Sequence, residues 1–255
     1  MGSGVHVSLL GHATVRVEVD GRVALTDPLL RPRIAFLRWT APRPDPQTLD
    51  ATTVTVISHL HHDHCDPASL ARLGRDRPLV VPWGSEGFFR RRGFTSVVAL
   101  RPGERHEVDG VEVTATPAAH DGSRRPFGPA AVAVGYLIAV GGRRVYFAGD
   151  TDLFADMAAI GSVAPLDVAL VPVWGWGPSI GPGHLDPDRA ARATELLRPK
   201  VVVPIHWDGL RPAWERRRTP EAAARPVDRF VQEVRRLELP TEVRVLSPGA
   251  SMTWP

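Results

Sequence analysis

The sequence lacks the features that mark secreted and membrane proteins. It has a single cysteine, Cys65, so no intrachain disulfide can form and nothing indicates an oxidising compartment. No stretch approaches the roughly 18 consecutive apolar residues of a transmembrane helix. The start of the chain lacks a basic segment followed by an unbroken apolar run, so we expect no signal peptide. These absences predict a cytoplasmic protein with no stable membrane insertion.

Lysine is nearly absent as well, because Lys200 is the only one and arginine carries the remaining positive charge. The formal net charge is only +3, although the isoelectric point is about 9.7. The two values agree because few groups titrate between neutrality and high pH. A charge of +3 is a weak basis for binding a polyanion, so we expect no nucleic-acid partner.

Apolar residues make up 43% of the chain, which is enough for a sizeable core. Two blocks of strand-like segments, each interleaved with helix patterns, predict an α/β sandwich of two sheets face to face with helices outside. Asp20-Gly21, Asp109-Gly110 and Gly141-Gly142 predict hairpin turns. A last strand is expected at residues 242–246, and residues 1–255 are expected to form one domain.

Residues 29–50 form a long segment rich in proline and arginine, with no predicted helix or strand. Loops of this length are uncommon in a compact domain unless they are functional or locally ordered. Its apolar side chains include Ile34, Phe36, Leu37 and Trp39. Three roles stay open for it: a lid, an interface between copies of the chain, or a peripheral contact with a membrane surface.

The densest chemical signal is the pattern H-x-H-x-D-H formed by His59, His61, Asp63 and His64. It directly follows an apolar, β-branched run at residues 53–57 that is typical of a buried strand. Alternation along a strand end lets His59 and His61 face one metal, while Asp63 and His64 can serve a second. A mixed histidine and aspartate set favours Zn²⁺ first.

Three further candidate ligands follow strand-like runs. They are His120, Asp150 and His206. Ligands gathered at one edge of a sheet sandwich would be held by rigid elements. Taken singly, each has an alternative: a histidine can bond a backbone carbonyl, and an aspartate after glycine can form a turn.

Together these residues resemble the metallo-β-lactamase fold superfamily of metal-dependent hydrolases, over nearly the whole chain. The strongest motif is His59-Leu60-His61-His62-Asp63-His64. Shorter matches are similar to a narrower branch that includes L-ascorbate-6-phosphate lactonase and N-acylphosphatidylethanolamine phospholipase D. These matches are Gly11-His12-Ala13-Thr14, Thr26-Asp27-Pro28, Gly183-His184-Leu185-Asp186-Pro187 and Ile205-His206-Trp207.

The resemblance implies an αββα sandwich of two mixed β-sheets flanked by helices, and two divalent ions, Zn²⁺ first with Mn²⁺ or Fe²⁺ as alternatives. It assigns His59, His61 and His120 to the first ion, Asp63, His64 and His206 to the second, and Asp150 to both. The implied activity is hydrolysis of a small lactone, ester or phosphodiester by a hydroxide shared between the ions, with Asp63 also orienting the nucleophile. The alternatives are a metallonuclease and a catalytically silent metal-binding or sensing protein.

Five residues are candidates for substrate contact, and the substrate is expected to be a small, anionic molecule. His184, on a Gly/Pro-rich loop, is a candidate general acid. Arg124 and Arg125 would suit a phosphate or carboxylate, unless they form a solvated surface pair. By resemblance His12 lies near the site, unless it is a core histidine bonded to backbone. Trp207 is expected to wall an apolar pocket.

Three residues in or next to the motif are not predicted to bind metal or substrate. Asp66 is expected to cap a helix, and is a candidate hydrogen-bond partner for a metal-bound histidine. Cys65 is expected to be a small buried hydrophobe. His62 faces away from its neighbours and is not predicted to bind metal. Oligomeric state is left open, with a homo-oligomer as one alternative.

Overall fold

Two seven-stranded mixed sheets form the centre of this computed structural model, which describes residues 4–124, 128–177, 179–215 and 220–255. The first sheet contains β1 (Val5–Gly11), β2 (Thr14–Val19), β3 (Arg22–Thr26), β6 (Thr52–Val56), β7 (Leu79–Pro82), β8 (Val97–Leu100) and β17 (Ser251–Trp254). Its strand order is β17-β1-β2-β3-β6-β7-β8. Strands β3, β6, β7 and β8 run parallel, and the others pair antiparallel.

The second sheet contains β9 (Arg105–Val108), β10 (Val111–Asp121), β11 (Val132–Val140), β12 (Arg143–Phe147), β13 (Val168–Pro172), β14 (Val201–Ile205) and β16 (Glu242–Val243). Its order is β16-β14-β13-β12-β11-β10-β9. Strands β12, β13, β14 and β16 are parallel. Because β10 and β12 are both antiparallel to β11, the strands β10, β12 and β14 all end at the same edge.

Alternating side chains explain how the two sheets meet. Every second residue of β1 is buried, beginning with Val5 and Val7, and these residues join a valine-rich core to which both sheets contribute. The central strands β13 and β14 are buried at every position, as expected for parallel strands covered on both faces. The expected sandwich of two mixed sheets is confirmed.

Six helices complete the described structure: α1 (Pro46–Asp50), α2 (Pro67–Leu73), α3 (Glu86–Arg90), α4 (Met157–Ser162), α5 (Pro187–Leu197) and α6 (Pro220–Arg236). One apolar cluster joins α4, α5 and α6 to the second sheet, and another joins α2 and α3 to the first. The Asp66 and Asp186 carboxylates accept backbone N–H bonds at the starts of α2 and α5, each followed by proline. The expected capping role of Asp66 is confirmed, and Asp186 has the same role.

The three predicted hairpin turns are present, and the residues that form them have positive φ angles. Asp20 and Gly21 have φ of 52° and 75°, and Asp109 and Gly110 have 46° and 78°. In each of these turns both central residues have a positive φ, as a two-residue type I′ turn requires.

The last strand of the chain differs from the prediction, whereas segment 29–50 takes the ordered alternative. The predicted last strand, at 242–246, covers only Glu242–Val243, and the chain adds β17, which pairs with β1. The segment 29–50 is locally ordered, because it contains α1 and two strands of a small third sheet. That sheet has the order β15-β5-β4, with β4 (Arg33–Ile34), β5 (Leu37–Trp39) and β15 (Leu210–Pro212).

Candidate metal centre

The strand ends bring all seven predicted ligands together. The H-x-H-x-D-H motif follows β6 in the first sheet, whereas His120 lies near the end of β10, and Asp150 and His206 follow β12 and β14 in the second. Two backbone hydrogen bonds join the sheets beside the motif: Val134 N–H donates to Ser58 O at 3.0 Å, and Leu60 N–H donates to Gly122 O at 3.0 Å. The two sheets therefore contribute ligands to one edge of the sandwich.

The ligand atoms fall into two groups. In one group, His59, His61 and His120 place a nitrogen each within 4.8 Å of one another. His61 Nδ1 lies 3.1 Å from His120 Nε2. This is the set that the resemblance assigns to the first metal.

In the other group, Asp63, His64 and His206 converge together with His12, again within 4.8 Å. His64 Nε2 lies 3.0 Å from His206 Nε2. Asp63 Oδ2 is 3.7 Å from His206 Nε2 and 3.8 Å from His64 Nε2. This is the set that the resemblance assigns to the second metal.

Asp150 is 2% exposed and lies between the two groups. Its Oδ2 is 3.1 Å from His64 Nε2 and 3.9 Å from His59 Nε2, while its Oδ1 is 3.2 Å from His206 Nε2. A carboxylate in this position faces both sets of nitrogens.

Hydrogen bonds on the opposite ring nitrogens fix which atoms face the centre. Four Nδ1 atoms donate outward: His59 to Ser58 Oγ at 3.0 Å, His64 to Asp27 Oδ2 at 2.7 Å, His120 to Gly183 O at 2.8 Å and His206 to Trp174 O at 2.6 Å. The partners of His64, His120 and His206 are a carboxylate and two carbonyls, which can only accept, and the Ser58 hydroxyl donates its hydrogen to Asp27. Nδ1 therefore carries the proton in all four rings. In the neutral ring, Nε2 then turns a lone pair toward the centre.

The side chains at the centre need positive charge among them. His59 Nε2 and Asp150 Oδ1 are buried with no hydrogen-bond partner. Lone pairs and carboxylate oxygens that converge in this way repel one another unless a cation lies among them. The residues therefore fit divalent ions, and their imidazole and carboxylate donors suit zinc, manganese or iron.

Burial and neighbouring charges favour the metal-binding forms of most of these groups. Burial lowers the pKa of His59 well below its usual value and that of His120 to about 4, which leaves neutral rings. Burial alone would raise the pKa of Asp150, but the charges on His206 and His64 outweigh it and hold that pKa well below its usual range. Neutral imidazole and ionised carboxylate are the forms that bind metal.

His64 behaves differently. Burial lowers its pKa, but the carboxylates of Asp150 and Asp63 outweigh this effect and raise the pKa well above its usual value. A proton on His64 therefore supplies positive charge in the metal-free centre, and a bound metal would displace it.

The backbone at the site is strained in three places. His12, Asp27 and His206 have positive φ angles of 53°, 36° and 65°. Residues other than glycine seldom adopt this region, and such strain persists where the surroundings enforce it, often at functional sites. Here the His206 N–H donates to His12 O at 2.9 Å, and the His12 N–H donates to Asp208 O at 2.8 Å.

Two predicted substrate residues lie close to the ligands, in different settings. His184 is half-buried, with Nε2 3.4 Å from Asp150 Oδ2 and its ring 4.6 Å from that of His120. His12 is fully buried, its Nε2 lies 3.3 Å from Asp63 Oδ2, and its ring is 3.8 Å from that of His206. Since it has almost no exposed surface, His12 supports these ligands, and the expectation of direct substrate contact is corrected.

Arg124 and Trp207 also depart from the predicted substrate role. The Arg124 guanidinium donates to the carbonyl oxygens of Leu60 and Cys65 at 3.0 and 2.8 Å, and to His62 Nδ1 at 2.9 Å. It therefore holds together the loop that carries the H-x-H-x-D-H motif. Trp207 lies in the apolar cluster under the helices and donates to Pro204 O at 3.1 Å. Arg125 lies outside the described residues.

Sequence reasoning missed the partners that hold the ligands. Asp27 supports His64, whereas Asp66, the predicted candidate, binds Arg31 at 2.8 Å and caps α2. The signal available was the position of Asp27 just after β3, the strand that pairs with β6. Trp176 was also missed as a partner, and its indole N–H donates to Asp63 Oδ2 at 2.9 Å.

Fold and site together define a metallo-β-lactamase-type protein. Residues 22–207 match the family described as the beta-lactamase superfamily domain, so the chain belongs to that superfamily. It is 32% identical over 252 residues to a UPF0173 metal-dependent hydrolase of Methanopyrus kandleri. The aligned region covers 97% of this chain and 99% of that relative. The predicted family is confirmed.

Two further similarities agree with this assignment. The chain is 31% identical to N-acyl-phosphatidylethanolamine-hydrolyzing phospholipase D 1 of Caenorhabditis elegans, across 80% of this chain and 64% of that relative. The structure of Igni18, a metallo hydrolase from Ignicoccus hospitalis, superposes with a TM-score of 0.75 at 30% identity, covering 99% of each chain.

In the part of the chain that the structure describes, no helix is long and apolar enough to cross a bilayer.

Proposed function

We propose that the chain is a dinuclear metal-dependent hydrolase of a small lactone, ester or phosphodiester. The observation that carries the proposal is Asp150, whose carboxylate lies between two groups of three candidate ligands. A single ion would leave half of these buried donors without a partner, at a high desolvation cost. A relative named metal-dependent hydrolase supports the coarser activity, hydrolysis that depends on a metal.

When bound, two divalent ions would lower the pKa of a shared water toward neutrality and polarise the carbonyl or phosphoryl oxygen of the substrate. The protein supplies orientation. Asp63 is held on two sides, because its Oδ2 accepts from Trp176 at 2.9 Å and faces His12 Nε2 at 3.3 Å. In this fixed position Asp63 accepts a hydrogen bond from the attacking water and aligns it with the substrate.

His184 is the proposed proton donor to the leaving group. It is half-buried, so it reaches both solvent and the ligand cluster. Its Nδ1 faces the carbonyl oxygens of Gly181 and Pro182 at 3.1 and 3.2 Å, which leaves Nε2 turned toward Asp150. A protonated His184 can therefore donate from Nε2 to an oxygen that leaves near Asp150.

The test joins metal content to hydrolysis. Chelator-treated protein is reloaded with Zn²⁺, Mn²⁺ or Fe²⁺, the bound metal is counted by mass spectrometry, and lactones, aryl esters and bis-aryl phosphodiesters are assayed. We expect two ions per chain and metal-dependent turnover of at least one of these classes. The Asp150→Ala variant should bind fewer ions and lose at least about 100-fold in kcat.

The matched control is Asp167→Asn, which changes another buried carboxylate that binds Lys200, away from the cluster. It should keep both ions and metal-dependent turnover. One ion per wild-type chain, or undiminished hydrolysis by metal-free protein, would contradict the proposal. Cleavage of RNA or DNA alone would indicate a nuclease, and metal binding with no turnover would indicate a silent metal-binding protein.

A further inference from the structure

Three aromatic side chains, Phe36, Trp176 and Trp214, form a connected surface that we term the aromatic shelf. The ring of Phe36 stacks on Trp214 with centroids 5.4 Å apart and 23° between the planes, and meets Trp176 edge-on, also at 5.4 Å. Phe36 is 43% exposed and Trp214 is 73% exposed. Aromatic side chains of this size usually bury most of their surface, so two exposed rings in contact, beside half-buried Trp176, indicate a binding surface.

The small third sheet builds the shelf in advance of any ligand. Phe36 lies in the tight turn between β4 and β5, where Ala35 has a φ of 49°. The Ala213 N–H, just after β15, donates to Phe36 O at 2.9 Å and so places Trp214 beside the Phe36 ring. Buried apolar residues of the same sheet lie beneath. A preformed surface loses little conformational entropy when it binds an apolar group.

Trp176 connects the shelf to the candidate metal centre. One edge of its ring contacts Phe36, and its indole N–H donates to Asp63 Oδ2 at 2.9 Å. A ligand lying on the shelf would thus extend from exposed Trp214 toward the carboxylate that orients the attacking water. This continuity distinguishes the shelf from a patch on an unrelated face.

We infer that the aromatic shelf binds the apolar acyl or aryl portion of the substrate while its reacting carbonyl or phosphoryl group lies at the metal centre. The inference rests on the proposed hydrolase function and narrows its substrate class to amphiphilic esters, lactones or phosphodiesters. It also gives residues 29–50 a role, because the turn that carries Phe36 lies within them. The segment is then neither a mobile lid nor primarily a membrane anchor.

The experiment measures chain-length dependence in two independent ways. First, kcat/KM is measured on zinc-loaded protein for p-nitrophenyl esters from acetate to decanoate. Second, the binding of the matching alkyl carboxylates, acetate to decanoate, is measured by calorimetry, which requires no turnover. Burial of each methylene should raise kcat/KM and affinity about fourfold in the wild type.

The test variants are Trp214→Ala, which alters the most exposed ring and should fold normally, and the double variant Phe36→Ala/Trp214→Ala. Both should flatten the chain-length series, the double variant to about 1.5-fold per methylene. The matched control is Trp83→Ala, because Trp83 is 42% exposed and its described ring contact is with Arg101, outside the shelf. This control should keep the wild-type slope.

Each outcome separates the two proposals. If no ester is hydrolysed but carboxylate binding follows chain length and the variants flatten it, the shelf assignment stands and ester hydrolysis fails. If esters are hydrolysed with the same slope in the wild type and both shelf variants, the shelf assignment is overturned. A flat series combined with shelf-dependent retention on phosphatidylcholine vesicles, or with shelf-dependent dimerisation, would assign the surface to a membrane or subunit contact and overturn it too.

Discussion

Asp27 shows how a residue with no direct role as a ligand can control a metal site. It is fully buried, and its two oxygens accept from the Ser58 backbone, the Ser58 hydroxyl and His64 Nδ1 at 2.6 to 2.8 Å. These bonds hold the His64 ring with Nε2 toward Asp150. The orientation of one imidazole therefore depends on a carboxylate 37 positions earlier in the chain.

Replacing Asp27 should weaken metal binding. Asp27→Asn keeps the shape but removes the charge and one acceptor, so His64 loses its strongest orienting bond. Partners of this kind typically contribute 10- to 100-fold in metal affinity, and we expect a loss of about that size. Competition with a fluorescent zinc chelator measures it. Asp66→Asn is the control, because that carboxylate binds Arg31 instead of a histidine; an equal loss in both variants would contradict the argument.

Cys65 should be inert in the folded protein despite its position beside His64. It is completely buried, and burial raises the pKa of its thiol from 9.0 to about 12. The reactive thiolate is therefore scarce below that pKa, and grows more abundant only as the pH rises toward it. We expect negligible iodoacetamide labelling of native protein between about pH 7 and 9. Mass spectrometry should show one label per chain after unfolding in guanidinium, and rapid native labelling would refute the placement.

The regular elements could be predicted where the signal is local. Alternation in β1, the Asp-Gly turns and the Asp-Pro starts of α2 and α5 each need only a few neighbouring residues. By contrast, β17 is a strand of only four residues that exists because it pairs with β1, about 250 positions away. The strands of the third sheet depend in the same way on pairing between β5 and β15. Strands of two to four residues are too short for their periodic pattern to be recognised in the sequence.

The candidate site shows the same difference between residues with a local signal in the sequence and residues whose role depends on distant partners. The seven ligand positions follow from strand ends and from the family motif, so the sequence predicts them together. Other roles depend on the direction in which a side chain points and on partners that are mostly distant in the sequence. This holds for Arg124, Trp207 and Trp176. An arginine shortly after a candidate metal ligand suggests an anion site, yet the Arg124 guanidinium donates to backbone carbonyls of Leu60 and Cys65 instead.

The loop between β6 and α2 should lose stability when its clamp is removed. Arg124→Met keeps an apolar stem against Phe88, which the guanidinium carbon approaches to 5.3 Å, but removes the bonds to Leu60 and Cys65. Hydrogen bonds from a charged donor contribute about 1.5–3 kcal/mol, so we expect a destabilisation in that range. Guanidinium unfolding measures it. Arg192→Met, at an exposed pair with Glu195, should change stability by less than about 0.5 kcal/mol.

The metal centre lies where the two sheets meet, so it should couple them mechanically. The first sheet supplies His59, His61, Asp63 and His64, and the second supplies His120, Asp150 and His206. In addition, Tyr136 of the second sheet donates its hydroxyl to Ile57 O at 2.9 Å in the first. Cations bound to both sets of ligands would join the halves of the sandwich, and their loss would leave most of the converging carboxylate oxygens and lone pairs uncompensated.

Metal removal should therefore lower the stability of the whole sandwich and not of one loop. A ligand at 100 times its dissociation constant stabilises the folded state by about 2.7 kcal/mol, so zinc should raise Tm by several degrees. Hydrogen exchange should slow at the ends of β6, β10, β12 and β14 together. Asp150→Ala should reduce both effects, because it removes the carboxylate between the groups. Protection confined to the ends of one sheet, or an equal zinc effect in Asp150→Ala, would show that the ions do not join the sheets.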